Sequence, residues 1–178
     1  MTNSMNNALE KLKSLIGEFE LVEIDEREVK INLKPESVLQ ALSLLKGEGY
    51  FHLSLLSAVD WIDEKMFELV YILYSWSDGG KIIVSTKIDR DKAEFVTVKH
   101  MWPVARFYER ELHEFFGISF KGNDDMRPLF LENWDDKPPL RKDFDPLEYS
   151  KRKFPDREYK KDIIHEAKII RGDINGWS

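Results

Sequence analysis

The last third of the chain, residues 118–178, most constrains how this protein can fold, because it is too poor in apolar residues to bury a core of its own. It holds five of the chain's seven prolines, and each proline removes a backbone donor and favours an extended conformation in the residue before it. Ordering a residue costs about 1–2 kcal/mol of backbone entropy. Scattered side chains such as Trp134 and Phe144 offset that cost only by filling pockets on a second surface. We therefore predict an extended, partner-binding tail over residues 118–178, with a short helix near 159–170.

Residues 1–117 differ from the tail, because their apolar residues recur with the periods of helices and strands, as expected for a globular domain. The strand predicted over 66–76 is apolar on both faces, which indicates an interior position in its sheet. The order of elements predicts an α+β fold, a mostly antiparallel sheet with helices packed on it, followed by the extended, proline-containing C-terminal tail. The predicted elements are helices over 6–16, 36–46 and about 103–116, an extended stretch over 19–33, and strands over 51–59, 66–76 and 81–88.

Composition excludes several classes of site from this chain. It has no cysteine, which excludes disulfides, thiolate zinc sites, iron–sulfur ligation and cysteine nucleophiles. No apolar run approaches about 20 residues, the length that spans a bilayer. The first residues lack the basic-then-apolar form of a signal peptide, so we expect a cytoplasmic protein that meets a membrane only through partners. Residues 118–178 carry 13 basic and 13 acidic side chains, a balance that argues against nucleic acid binding.

No motif indicates a catalytic, cofactor-binding or metal-binding site in this chain. His113-Glu114 begins like the zinc helix of a metalloprotease, but Gly117 occupies the position of the second histidine. The sequence also lacks the glycine-rich phosphate loops and the nucleophile elbow of known enzyme classes. We therefore expect no catalytic residue, cofactor or metal here.

A short helix near residues 103–116 concentrates charge and leaves three interpretations open. Its glutamates line a solvated face, or they belong to a charged surface buried against a partner, or they act as general acid–base carboxylates. Arg110 and Glu114 stand at i and i+4, a spacing that suits a salt bridge. We favour the partner surface. The charged residues of this helix are Arg106, Glu109, Arg110, Glu111 and Glu114.

The same helix carries the pattern by which the chain resembles a known family. Glu109-Arg110-Glu111 is followed by Glu114, Phe115-Phe116 and, after a spacer, Arg127. In this order the residues resemble the signature of the 30-kDa subunit (C subunit) family of respiratory complex I and its relatives in energy-converting membrane-bound hydrogenases. Asn123 departs from the pattern, since the family usually has His or Lys there, and this favours the hydrogenase-like branch. Further matching stretches are Leu55–Trp61, Met101–Ala105, Leu129-Phe130 and Pro139–Phe144.

The resemblance implies a subunit without cofactors, on the cytoplasmic side of the membrane, closest to the corresponding subunit of archaeal membrane-bound hydrogenase or sulfane reductase complexes. Its globular domain would pack beside a large, 49-kDa-like catalytic subunit, and its tail would run over that subunit. The large subunit and the iron–sulfur subunits would carry iron–sulfur clusters and, in hydrogenases, a nickel–iron site. The expected interface residues are Arg106, Glu109, Arg110, Glu111, Glu114, Arg127, Trp134, Leu140, Arg141, Lys142, Asp143 and Phe144.

Three alternatives remain open at this stage. In the first, the chain is the C subunit of an NADH or other quinone oxidoreductase. In the second, it is a free-standing interaction module outside bioenergetics. In the third, it is a hydrolase or lyase that uses the glutamates of residues 109–114, although no nucleophile, metal set or cofactor loop completes such a site.

Overall fold

The computed structural model describes residues 1–156, which form seven β-strands and four α-helices. The helices are α1 (Asn3–Ile16), α2 (Val38–Gly47), α3 (Ala105–Phe116) and α4 (Pro146–Lys153). The strands are β1 (Glu20–Asp25), β2 (Glu28–Leu33), β3 (His52–Trp61), β4 (Met66–Tyr74), β5 (Lys81–Asp89), β6 (Glu94–Val96) and β7 (Ser119–Lys121).

Five of these strands form the main sheet, in the order β1-β2-β5-β4-β3. Its neighbouring strands are antiparallel except for β2 and β5, which run parallel. The short strands β6 and β7 form a separate parallel pair. The predicted α+β fold with a mostly antiparallel sheet is confirmed, and β4 lies in the sheet interior between β5 and β3 as its composition predicts.

One face of the main sheet forms the hydrophobic core with the helices. Alternate residues of each strand point to this face, and in β4 they are Leu69, Tyr71 and Leu73, all fully buried. Helices α1 and α2 supply the opposing apolar stripes, since their inward residues recur at helical spacing. Those residues are Met5, Ala8, Leu9 and Leu12 from α1, and Val38, Ala41, Leu42 and Leu45 from α2.

The compact unit that contains both sheets runs from Met1 to Phe144, whereas the sequence placed the end of the globular domain at residue 117. The difference arises because residues 118–144 find their second surface on this same chain. A second unit begins at Asp145, and its described part is α4, which the sequence analysis missed. Asp145 caps this helix by accepting hydrogen bonds from the backbone N–H groups of Leu147 and Glu148. The helix predicted near 159–170 lies outside the described residues.

Gly117 ends α3 in the left-handed conformation, with φ at 74°. A Cβ atom there would lie 3.2 Å from both Pro138 and Arg141. We therefore expect Gly117→Ala to lower the free energy of unfolding by about 1–2 kcal/mol through backbone strain alone. The matched control is Gly47→Ala at the end of α2, where a Cβ would meet nothing within 4 Å. Urea unfolding of both variants checks this, and an equal effect at the two glycines would contradict it.

Candidate partner interface

Helix α3 carries the charged residues of the family signature, and it turns them in two directions. Its buried stripe consists of Ala105, Glu109, Leu112 and Phe116, so one glutamate stands among apolar residues at the spacing of a helix face. The remaining charged residues lie on the half-buried and exposed faces. The helix therefore holds one acidic group inside the protein, and it presents Arg110 and Glu114 to the chain that follows.

Glu109 has no exposed surface, and its carboxylate is fully engaged within the chain. Oε2 accepts hydrogen bonds from Thr97 Oγ1 at 2.7 Å and Asn123 Nδ2 at 2.8 Å, while Oε1 accepts one from the Val98 N–H at 2.8 Å. Burial raises the pKa of Glu109, although these hydrogen bonds act in the opposite direction. Burial and the nearby Glu109 carboxylate also raise the pKa of Tyr71. Glu109 was expected at a partner surface; instead it ties the loop before α3 to the segment after β7.

Arg110 holds the backbone of the following segment against α3. Its Nε donates to the carbonyl of Arg127 at 2.9 Å, and one terminal nitrogen donates to the carbonyl of Pro128 at 2.8 Å. The other terminal nitrogen lies 3.7 Å from a carboxylate oxygen of Asp125. The salt bridge to Glu114 that the i, i+4 spacing suggests is not formed, because both side chains have backbone partners instead.

Glu114 binds the three residues that come next along the tail. Its Oε2 accepts hydrogen bonds from the N–H groups of Leu129 at 3.1 Å and Phe130 at 2.9 Å, and Oε1 accepts one from Leu131 at 2.6 Å. A single carboxylate thus satisfies three consecutive backbone donors, which would otherwise need water or a strand partner.

The segment around Leu140 is fixed at the C-terminal end of α3. The Leu140 N–H donates to the carbonyl of Phe115 at 3.0 Å, and Arg141 Nε donates to the carbonyl of Phe116 at 2.7 Å. These bonds satisfy carbonyl groups that the end of a helix leaves without partners. The Arg141 guanidinium also lies over the Phe67 ring, 5.2 Å from its centroid.

A network of charges ties Lys142 and Asp143 to β3, which is an edge strand of the main sheet. Arg90 donates to both carboxylate oxygens of Asp60, at 2.7 and 2.9 Å, and also to Asp143. The Lys142 N–H donates to Asp60 at 2.9 Å. Burial raises the pKa of Asp60, but the bonds from Arg90 and Lys142 outweigh it and hold this pKa below its usual range. The hydrogen bond from Arg90 also lowers the pKa of Asp143, to about 2.

Trp134 and Phe144 pack against each other, with ring centroids 5.4 Å apart. Trp134 Nε1 donates to the carbonyls of Asp136 and Lys137, both at 2.9 Å. Both of these predicted interface residues are half-buried. Trp134 also fixes the loop between Leu131 and Pro138 through its hydrogen bonds.

The other predicted interface residues lie closer to solvent. Arg127 is exposed and pairs with Asp125 at 2.8 Å, and this pairing lowers the pKa of Asp125. Arg106 is exposed, with its guanidinium 4.5 Å from the centroid of the Phe107 ring. Glu111 is half-buried, and its side chain makes no hydrogen bond or ion pair among residues 1–156.

Two large apolar side chains between β7 and Asp145 are exposed to solvent. Phe130 is 63% exposed although its ring stacks on Phe115 at 5.9 Å, and Leu140 is 54% exposed. An open cavity of about 430 Å³ lies between α3 and the segment that contains Phe130. It is lined by His113, Glu114, Met126, Pro128, Leu131, Asn133 and Trp134. Surface of this kind, apolar at the centre and polar at the rim, is typical of protein interfaces.

Among residues 1–156, no group of three or more His, Asp or Glu side chains is placed to hold a metal ion. In the same part of the chain, no helix has the length and apolar character needed to cross a membrane.

Sequence reasoning missed Thr97, Asp60 and Arg90 as parts of this site. Asp60 had a usable signal, because it continues the inward alternation of Leu56 and Ala58 along β3. A charged residue at a buried strand position needs a partner, and Arg90 follows the end of β5. No local pattern marks Thr97.

We expect Glu114→Gln to loosen residues 129–131 while the sheet stays intact, because the neutral amide is a weaker acceptor and offers one oxygen for three donors. A loss of about 1–2 kcal/mol would raise the locally open fraction by about 5- to 30-fold. Chymotrypsin cleavage at Phe130 and Leu131 measures that fraction. Glu111→Gln is the control, and equal cleavage rates in the two variants would contradict the expectation.

The raised pKa of Glu109 predicts a pH dependence of stability. The folded state binds this proton more tightly than the unfolded state, so the free energy of unfolding of the wild type relative to Glu109→Gln should fall as pH rises. The fall begins near the unfolded glutamate pKa of about 4.3. Asp60→Asn should show the opposite trend, because the wild type loses its advantage as pH falls below the aspartate range. Urea unfolding across about pH 2–8 tests both, since the Asp60 window lies below the unfolded aspartate pKa of about 3.9. A Glu109 difference that grows with pH would refute the assignment.

Comparison with known proteins identifies the family. Residues 31–150 match the protein family described as "Respiratory-chain NADH dehydrogenase, 30 Kd subunit". The C/D subunit of NADH-quinone oxidoreductase from Phocaeicola vulgatus is 34% identical over 137 residues, which are 74% of this chain and 26% of that protein. The C subunit of the same enzyme from Moorella thermoacetica is 32% identical over 143 residues, which are 79% of this chain and 95% of that protein. The chain thus spans nearly all of one relative, but only 26%, 58% and 56% of three others.

A solved structure agrees with these sequence matches. One chain in the structure of the membrane-bound sulfane sulfur reductase, described as an archaeal respiratory membrane complex, superposes with a TM-score of 0.75. The two chains are 31% identical, and the match covers 90% of this chain and 98% of the other. The resemblance carried by residues 109–130 is confirmed, and the chain belongs to the respiratory-chain NADH dehydrogenase 30 Kd subunit family.

Proposed function

We propose that this chain is a non-catalytic accessory subunit of a membrane-anchored respiratory redox complex, in which it packs against the large catalytic subunit and stabilises it. The observation that carries the proposal is the way the tail is held. Side chains of α3 and the sheet satisfy its backbone, while Phe130 and Leu140 remain turned outward.

The polar contacts favour binding because they order the tail in advance. An extended segment that orders only on binding loses affinity to the entropy of ordering. Here Arg110, Glu114 and Arg141 already fix the backbone of residues 127–141. The partner therefore meets a preformed surface, and its binding energy is available for the exposed apolar side chains and the charged rim.

Arg106, Glu111, Arg127 and Lys142 form the polar rim of this proposed surface, and Glu109 and Asp143 act as positioning residues behind it. Trp134 lines the cavity, and Phe144 packs against Trp134. In this proposal the cavity receives a side chain of the partner. Glu109 has a positioning role because it is fully buried, and Asp143 because Arg90 and Lys137 bind its carboxylate.

The complex we propose is of the hydrogenase or sulfane reductase type, peripheral on the cytoplasmic side of the membrane. The similarity to the sulfane sulfur reductase chain over 98% of that chain supports this branch, as does Asn123. Its partners would be the large subunit and iron–sulfur subunits, which would carry iron–sulfur clusters and, in a hydrogenase, a nickel–iron site. The C subunit of an NADH-quinone oxidoreductase is the second candidate, supported by the match over 95% of the Moorella thermoacetica protein. Purification of the native assembly separates the two, because only the second predicts an NADH-oxidising module.

The proposed surface is tested by placing a charge at its apolar centre. We expect Leu140→Glu and Phe130→Glu to reduce recovery of the large subunit with the tagged chain at least about 10-fold, equivalent to about 1.4 kcal/mol. The Tm of each isolated variant should stay within about 2 °C of the wild type, because both side chains are exposed.

The matched control is Leu15→Glu on α1, where the side chain is 51% exposed. It adds the same charge elsewhere and should leave recovery unchanged. Full recovery of the large subunit with Leu140→Glu and Phe130→Glu would contradict the proposed surface.

A further inference from the structure

The main sheet has a second face, and the helices of the Met1–Phe144 unit do not cover it. In β4 the residues Val70, Ile72 and Tyr74 alternate with the buried Leu69, Tyr71 and Leu73 and so point to the side opposite the helices. An antiparallel sheet with one face on the core normally carries polar residues on the other. The second face of β4 is apolar from Val70 to Tyr74, beyond Glu68, and this stretch is available to a partner.

The strand register places further apolar residues beside those of β4. Ile72 pairs with Leu55 of β3 on one side and with Ile83 of β5 on the other. Val59 lies further along the same face of β3, opposite Glu68, and Trp76 lies in the turn after β4, where its ring contacts Tyr74. We call this set the β4 strip: Leu55, Val59, Val70, Ile72, Tyr74, Trp76 and Ile83.

Three side chains of the β4 strip are exposed to solvent and ordered, as expected for an interface hot spot. Trp76 is 65% exposed, and Leu55 and Val59 are each 39% exposed. The Trp76 ring packs edge-on against Tyr74 at 5.0 Å and lies 5.4 Å from the His52 ring, which holds it in place. Ordered, exposed Trp and Tyr side chains contribute most to interface energies, because little rotamer entropy is lost on binding.

The charges around the β4 strip are paired within the chain. Lys30 binds Glu68 at 2.7 Å, and Glu68 also accepts a hydrogen bond from Trp61 Nε1 at 2.9 Å. On the same face, Lys81 pairs with Glu28, and Lys87 pairs with Glu64. These lysines leave no unpaired positive charge for a partner to match, so an occupant without net charge fits this face best.

We propose that the β4 strip binds an amphipathic helix of a second subunit, one other than the subunit that the tail contacts. From Val70 to Trp76 the strip is about 20 Å long, which matches the apolar stripe of a helix of about 13 residues. Such a helix would complete a helix–sheet–helix arrangement, with its polar side facing away from the sheet. The inference rests on the proposed function only in taking the neighbour from the same complex. It gives the chain two interfaces, one on each side of the main sheet.

Recovery of subunits with the tagged chain tests the proposal in the native complex. Trp76→Glu and Val59→Glu should reduce recovery of one subunit at least about 10-fold, while the large subunit that depends on Leu140 stays bound. Leu15→Glu should keep every subunit. If Trp76→Glu and Val59→Glu retain all subunits at wild-type ratios, the proposal is overturned. Failure of the tail surface alone would leave this result unchanged, so the two proposals are judged separately.

Side-chain footprinting tests whether another subunit covers the β4 strip. Hydroxyl-radical oxidation of Trp76 should be at least about 5-fold slower in the intact complex than in the isolated full chain, as expected when an exposed hot-spot residue becomes buried. Three results would overturn the proposal. The first is that Trp76 oxidises equally fast in both samples. The second is that Trp76 is already protected in the isolated monomer, because the chain covers its own face. The third is that sedimentation shows a dimer of the isolated chain that Trp76→Glu dissociates, because the occupant is a second copy.

Discussion

The structure depends on side chains that satisfy the backbone of a segment without regular secondary structure. Between β7 and Asp145 the described chain forms no helix or strand, so its N–H and C=O groups lack the partners that a ladder would provide. Glu114 binds three of these donors, Arg110 binds two of the acceptors, and Asp60 accepts from Lys142. Arg141 works in the other direction and satisfies the end of α3. Residues 127–142 keep their path because polar side chains fixed on rigid elements bind their backbone at both ends of this stretch.

The buried polar group beneath α3 explains why that helix can serve as the anchor. Glu109 joins Thr97, Val98 and Asn123, which come from segments on either side of α3 in sequence. A buried carboxylate with three donors is costly to leave unpaired, so the geometry that satisfies it is strongly specified. The helix is thereby fixed in position, and Arg110 and Glu114 reach the tail from a defined starting point.

Most elements followed from the sequence, but their pairings did not. Alternation and helical spacing predicted the strands from 51 to 88 and the three helices before residue 117, whereas the parallel contact of β2 with β5 depends on the whole sheet. The i, i+4 spacing of Arg110 and Glu114 predicted a local salt bridge, and both residues instead bind chain 15–18 positions away. A local rule cannot anticipate this, because an ion pair exposed to water gains little compared with bonds to an otherwise unpaired backbone. Burial of Glu109 was readable from its place in the apolar stripe of α3.

The two proposed interfaces would make this chain a connector between subunits whose binding surface is ordered before it meets a partner. Amide hydrogen exchange of the isolated chain tests this order. We predict that Leu129, Phe130, Leu131, Leu140 and Lys142 are already protected in the isolated chain and gain little further protection in the complex. Exchange of these amides at unfolded-chain rates until the partner binds would show that the tail takes its order from the partner and would contradict the account.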